Sequence, residues 1–194
     1  MKPKSLQKLI TSFNGLPGIG KKQAERIAYY LVNADTFEMD DLKDAITIVQ
    51  NSLSKCEECG YITEEKVCDI CQSKDREMRL IVVETSLDVF KFEESQSIKP
   101  YYHVLNGLVN VKKNMSIDNL NVDKLPERAK KYREVILALS PNLEGLVTAK
   151  LIRKLLDSDI KVTELAQGIP IGAAMEYVDE ITLKTAIKNR KEVE

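Results

Sequence analysis

The chain has 194 residues, a formal net charge of −1 and 43% apolar residues, with no tryptophan. That length suits one or two domains, and that apolar fraction supports a buried core and excludes a disordered chain. No apolar run approaches the roughly 20 residues needed to span a bilayer, and Met1 to Leu9 lacks a signal peptide's apolar stretch, so a soluble cytoplasmic protein is expected.

In chain order, Leu6, Leu9, Ile10 and Phe13 recur at helical spacing and predict a short amphipathic helix over 4–13. Asn14 to Gly20 breaks it, and a second helix is expected from about Lys22 to Val32. Leu42, Ala45, Ile46, Val49 and Leu53 predict a third helix, with Asp40 or Asp41 near its N-cap. A cysteine segment follows, over 56–71. Beyond Arg79 the texture changes to short apolar runs, Leu80–Val83, Tyr101–Leu105, Val135–Leu139 and Ile160–Leu165. Helical patterns at Leu87–Glu94, Pro126–Tyr132 and Leu143–Leu156 separate them. Strands alternating with helices predict an α/β domain with a mostly parallel sheet.

Charge is unevenly placed. Residues 1–34 hold six basic side chains against one acidic, a balance of +5, and the remaining 160 residues carry −6. Screening cuts a field off within about 8 Å at physiological salt, so a basic head can attract phosphate from a molecule that is neutral overall.

Cys56, Cys59, Cys68 and Cys71 form two Cys-x2-Cys pairs eight residues apart. Four soft thiolates suit tetrahedral zinc, and a fully thiolate-ligated ion has no position left for a catalytic water, so a structural Zn²⁺ is expected. The alternatives are disulfides, a rubredoxin-type iron site and free thiols. Gly60 allows the tight turn of a metal knuckle. Four thiolates on one Zn²⁺ leave a charge of −2, for which Lys55, Lys66, Lys74 and Arg76 are the expected offset.

Gly15 to Lys22 nearly matches a nucleotide-binding P-loop, but Lys22 replaces the hydroxyl that would hold Mg²⁺, and a helix precedes it rather than a strand. A helix-hairpin-helix fits better. Pro17 ends the first helix, and Gly18 and Gly20 let backbone N–H groups approach a phosphate. The next helix points its N-terminal dipole at the same place, with Lys21 beside it and Lys22 and Arg26 four apart on one face. A helical packing or dimerisation hairpin is compatible with the same residues.

Glu84 ends the Leu80–Val83 run, where ligands bind in parallel sheets. With the Val135–Leu139 strand it resembles a Toprim domain. Toprim enzymes hold Mg²⁺ with a Glu and an Asp-x-Asp pair, but here the second strand is followed by Ser140-Pro141-Asn142-Leu143-Glu144, neutral at both Asp positions. His103 lies in an apolar strand without a nucleophile partner and is expected to pack.

Taken in order, hairpin, knuckle and degenerate Toprim resemble the bacterial RecR family of recombination mediators. The matching words are Leu-Pro-Gly-Ile-Gly-Lys-Lys (16–22), the cysteine quartet, Val-Val-Glu (82–84) with Asp88, Tyr-His-Val-Leu (102–105), Glu-Val-Ile-Leu-Ala (134–138), Gly-Ile-Pro-Ile-Gly (168–172) and residues 176–183. The resemblance implies a DNA-binding head over 1–54, a four-cysteine zinc finger over 55–78, a Toprim domain over 79–172 and a C-terminal helical segment over 173–194 used in oligomerisation. It implies no catalysis, sequence-nonspecific DNA binding, homodimers and ring-like homotetramers, and action with RecO and RecF to load RecA on gapped, SSB-coated DNA. Lys22 and Arg26 fall on the family's DNA-contacting positions, and Glu84, Asp88 and Glu144 on acidic positions linked to partner binding. There are departures: Gln167 stands where the family usually has His, Asn106 replaces the first Gly of a Gly-Gly pair, residues 112–117 lack a Gly-rich turn, Ser140-Pro141-Asn142 replaces Asn-Pro-Thr, and Leu146 replaces a Glu. An active Toprim nuclease or primase, and a zinc-ribbon module without a DNA role, are the competing functions.

Overall fold

The computed structural model describes residues 2–95 and 98–192. Met1, the pair 96–97 and the last two residues of the 173–194 segment lie outside them. The chain divides into two compact units, 1–53 and 54–194.

The first unit is helical. α1 (Lys4–Asn14) and α2 (Lys21–Asn33) pack on each other through Ile10, Ala24 and Ala28, with Leu6, Leu9, Phe13 and the loop residue Ile19 closing the cluster. Two alanines on the buried face of α2 let the helices approach closely. α3 (Thr36–Ser52) begins earlier than expected, because Asp35 rather than Asp40 or Asp41 is the N-cap and accepts the Glu38 N–H at 2.8 Å. No residue of α3 is buried, so its apolar stripe of Leu42, Ile46 and Val49 stays exposed.

The second unit opens with the hairpin β1 (Ser54–Lys55) and β2 (Ile62–Thr63), followed by the one-turn helix α4 (Asp69–Gln72). The α/β part then runs β3 (Arg79–Val83), α5 (Ser86–Ser95), β4 (Tyr101–Val104), α6 (Leu125–Ala129), β5 (Glu134–Ala138), α7 (Leu143–Leu155) and β6 (Val162–Glu164). α8 (Glu180–Lys188) follows. All pairings in the four-stranded sheet are parallel, in the order β4-β3-β5-β6. The chain therefore leaves β3 for β4 on one side and returns to β5 on the other. That switch places a crevice at the C-terminal ends of β3 and β5.

β3 is buried on both faces, which is why it reads as a continuous apolar run. Leu80 and Val82 face a core with Val135, Leu137, Ala149 and Ile152. Ile81 and Val83 face a second core with Val89, Tyr102, Val104 and the cysteines. The two departures from glycine resolve simply: Asn106 and Asn114 both have left-handed backbones, φ 62° and 51°. Asparagine tolerates that region better than other non-glycine residues. Among the described residues, no helix is long and apolar enough to cross a membrane.

Candidate metal knuckle, phosphate hairpin and acidic crevice

The four cysteine sulfurs all lie within 4.8 Å of one another, and Cys59 and Cys68 Sγ are 3.6 Å apart. A tetrahedron with Zn–S bonds of about 2.3 Å has an S···S edge of about 3.8 Å, so the quartet fits zinc. The fold shapes it by backbone bonds. Cys56 N–H donates to the Tyr61 carbonyl at 2.7 Å and Gly60 N–H to the Cys56 carbonyl at 2.9 Å, closing the first Cys-x2-Cys turn. Cys71 N–H donates to the Cys68 carbonyl at 3.0 Å, closing the second. Main-chain N–H groups also point at sulfur: Tyr61 to Cys59 at 3.4 Å and Cys68 to Cys56 at 3.3 Å. Cys59 and Cys71 hold the Cys68 thiol below its ordinary range, so the cluster favours a thiolate there.

The knuckle finishes the edge of the sheet. β4 is an outer strand, whose outward N–H and C=O groups need partners. Val104 N–H donates to the Cys59 carbonyl at 2.7 Å, and the Val104 carbonyl accepts from Asn121 Nδ2 at 2.9 Å. The Tyr102 carbonyl accepts from Arg128 Nη1 at 2.6 Å. Gly60 is doubly required at this join: its φ is +77°, and a Cβ would overlap Asn121 Nδ2 and lie 2.8 Å from the Val104 oxygen.

Of the four cations expected to offset the zinc charge, Arg76 is committed elsewhere. Arg76 is bound to Glu93 at 2.7 Å and to the Pro100 carbonyl at 2.8 Å, with Glu93 also accepting from Tyr102 Oη. The cation that reaches a thiolate is Arg128, whose Nη2 lies 3.2 Å from Cys71 Sγ. Sequence reasoning missed it because 57 residues separate the two. A signal existed: Arg128 shares the buried face of α6 with Leu125 and Ala129.

His103 is fully buried, with Nε2 2.6 Å from the Asn121 carbonyl. Burial pushes its pKa down to about 4, so the ring is neutral near pH 7 and plays the packing part expected of it.

In the first unit the turn between α1 and α2 has Pro17 at its second position and Gly18 at its third, with φ +79°, and Ile19 N–H donates to the Leu16 carbonyl at 3.2 Å. That is a type II turn, for which glycine is the natural third residue. Gly20 differs: its backbone is extended and a Cβ there would meet nothing within 4 Å. Gly20 also caps α2 without any side-chain hydrogen bond, so the first-turn N–H groups stay open to solvent. Lys2 binds Glu25, the lone acid of α1 and α2, at 2.8 Å. Among the described residues Lys21, Lys22 and Arg26 make no ion pair, and Lys22 and Arg26 line one open groove with Tyr29 and Tyr30. The net positive excess sits in this hairpin, since residues 1–53 as a whole hold seven basic against six acidic side chains, and Glu25, Asp35 and Glu38 line the same groove.

At the sheet crevice the structure brings Glu84 and Glu144 into one cleft with Asn110, Lys113 and Asn142. Glu84 accepts the backbone N–H of Ser140, and Asn142 caps α7 by accepting the Gly145 N–H at 2.8 Å. Gly145 is needed because a Cβ would overlap the Ser140 oxygen. Asp88 is elsewhere: its carboxylate accepts the N–H and hydroxyl of Thr85 at 2.9 and 2.8 Å, fastening the start of α5.

A four-thiolate knuckle clamped to the edge of a Toprim-type sheet, with a helical hairpin in the preceding unit, defines a zinc-bearing Toprim protein of DNA metabolism. Family models match accordingly: the RecR helix-hairpin-helix over 6–49, the RecR four-cysteine zinc finger domain over 53–73, the Toprim domain over 78–166 and the RecR C-terminal region over 168–191. The chain is 45% identical to Recombination protein RecR of Bifidobacterium adolescentis over 193 residues, 97% of this chain and 96% of that protein. It is 39% identical to the RecR of Finegoldia magna over 197 residues, 98% of both chains, and 40% identical to that of Staphylococcus aureus over 195 residues, again 98% of both. The chain belongs to the RecR family, and the quartet is its structural zinc site.

Proposed function

We propose that this protein is a non-enzymatic mediator of recombinational repair that binds DNA without sequence preference and acts with RecO and RecF to load RecA on gapped, SSB-coated DNA. The observation that carries the DNA role is the open first turn of α2, uncapped by any side chain and flanked by three unpaired cations. Gly18, Gly20 and Lys21 supply the approach to one phosphate, and Lys22 and Arg26 grip the next ones. The acidic positions Glu84, Asp88 and Glu144 are the partner-binding surface of this reading. Ser140 and Asn142 are neutral, and the Asn142 side chain is committed to capping α7, which supports the absence of Mg²⁺-dependent chemistry.

The division into head (1–54), zinc finger (55–78), Toprim domain (79–172) and C-terminal oligomerisation segment (173–194) is part of the same reading. So are a homodimer or homotetramer and a cytoplasmic, nucleoid-associated location. Exposed apolar residues support assembly, on α3, at Ile171 just before the C-terminal segment, and at Tyr177 and Ile181 within it. A single hairpin makes too few phosphate contacts for firm binding at physiological salt. Four copies of Lys22 and Arg26 on one duplex would give log K a slope against log salt of up to about −7. Gel retardation of the full chain across salt tests this: the parent binds with a steep slope, and Lys22→Ala/Arg26→Ala loses that binding. Unchanged binding by the double variant defeats the assignment.

A further inference from the structure

Arg128 is 5% exposed, and among the described residues no carboxylate lies within ion-pair distance of it. A buried guanidinium without an opposite charge is strongly destabilising. Its surroundings name the partner. Nη2 meets Cys71 Sγ at 3.2 Å, Nη1 meets the Tyr102 carbonyl at 2.6 Å and the neutral His103 ring at Nδ1 at 3.5 Å, and Cζ lies 5.9 Å from the centre of the Tyr132 ring. The carbonyl and the ring face solvate the cation but do not neutralise it. Zinc held by four thiolates carries −2, the one anionic group within reach.

We propose that Arg128 is the built-in counter-cation of the zinc site, a positioning residue that makes metal occupancy a condition for the edge of the α/β sheet to fold. Arg128 stands on α6, whose Leu125 and Ala129 sit in the core with β3 and β5. It crosses the rim of β4 to Cys71, the least buried of the four ligands. With zinc bound, the guanidinium orients Cys71 and ties it to the β4 backbone. Without zinc the fixed −2 falls to the charge of the Cys68 thiolate, and the same buried guanidinium loses most of its counter-charge. Loss of metal therefore reaches past residues 56–71 into α6 and β4.

The test is zinc competition on the full chain, using a chromogenic chelator, with melting followed in parallel. Groups that orient metal ligands from outside change affinity by about 10- to 100-fold, so Arg128→Met should weaken zinc binding by that factor. It should also shrink the rise in melting temperature that zinc produces, since the metal-free variant no longer buries a poorly compensated charge. Equal zinc affinity and an equal zinc-induced rise in parent and variant overturn the proposal. Should Arg128→Met fail to fold, hydrogen exchange on the parent decides. Chelation should deprotect the amides of α6 and β4 together with the knuckle, and deprotection confined to 56–71 overturns the proposal.

Discussion

The carboxylate of Glu84, at the end of β3, accepts the main-chain N–H of Ser140, at the end of β5. The residue that in a Toprim enzyme would hold a cation is here a strut across the switch point of the sheet. Its neighbours follow suit, with Asn142 capping α7 and Glu144 3.4 Å from Asn110 Nδ2. Glu84→Ala should therefore act on stability, lowering it by about 1.5–3 kcal/mol as the loss of a hydrogen bond to a charged acceptor. Millimolar Mg²⁺ should leave the melting temperature of the parent unchanged. Denaturant unfolding of parent and variant, each with and without Mg²⁺, measures both; a Mg²⁺-dependent rise in the parent alone would restore a metal role to Glu84.

Gly18 and Gly20 separate structure from ligand approach. Gly18→Ala places a Cβ on a backbone with φ +79°, and the strain should lower stability by about 1 kcal/mol. Gly20→Ala meets no atom within 4 Å and has an extended backbone, so the fold should be unaffected. On the proposed DNA-binding reading, its methyl group would stand where a phosphate comes. Gly20→Ala should weaken DNA retardation several-fold with an unchanged melting temperature. Full binding by this variant would mean that the hairpin backbone does not approach phosphate.

The sequence was most legible where one residue type has one use. Cys56, Cys59, Cys68 and Cys71 converge as their spacing requires, and the apolar runs became the four parallel strands within two residues at each end. What stayed hidden was long-range pairing of ordinary residues. The cap of α3 is ambiguous for a local reason: Asp35, Asp40 and Asp41 are all possible caps, and it is Asp35 that accepts the Glu38 N–H. Asp88 falls on an acidic position through the family resemblance, and the sequence did not show that its carboxylate binds the N–H and hydroxyl of Thr85. Lys55, Lys66, Lys74 and Arg76 flank the cysteines in sequence, whereas the cation at sulfur is Arg128. Counter-charges are chosen by packing, and packing is not local in sequence.

Gly60 joins knuckle and sheet, and its replacement should be among the most damaging single changes. An alanine Cβ would overlap Asn121 Nδ2 and press on the Val104 oxygen at 2.8 Å, at a φ of +77°. Neither the backbone carbonyl nor the amide that binds it can move without opening the β4 edge. Gly60→Ala should lower stability by roughly 2–4 kcal/mol, as strain and a displaced buried hydrogen bond combine. It should also speed zinc loss to a chelator. A thermal scan with zinc in excess checks the first effect, and a variant that melts with the parent would show that the join is soft.

His103 gives the fold an acid sensitivity whose sign is fixed by burial. Its pKa falls to about 4 in the folded protein, against an ordinary value of 6.5. Between those values the unfolded chain binds a proton that the folded one does not, so stability rises with pH across the window and is lost as pH falls through it. The shift corresponds to roughly 3 kcal/mol between pH 6.5 and 4. Acid also strips thiolate-bound zinc, so the comparison must hold that loss in common. His103→Gln keeps a donor for the Asn121 carbonyl and cannot titrate. Its unfolding free energy should fall less steeply than the parent's from pH 6.5 to 4.5, both measured in excess zinc, and parallel curves would remove His103 as the cause.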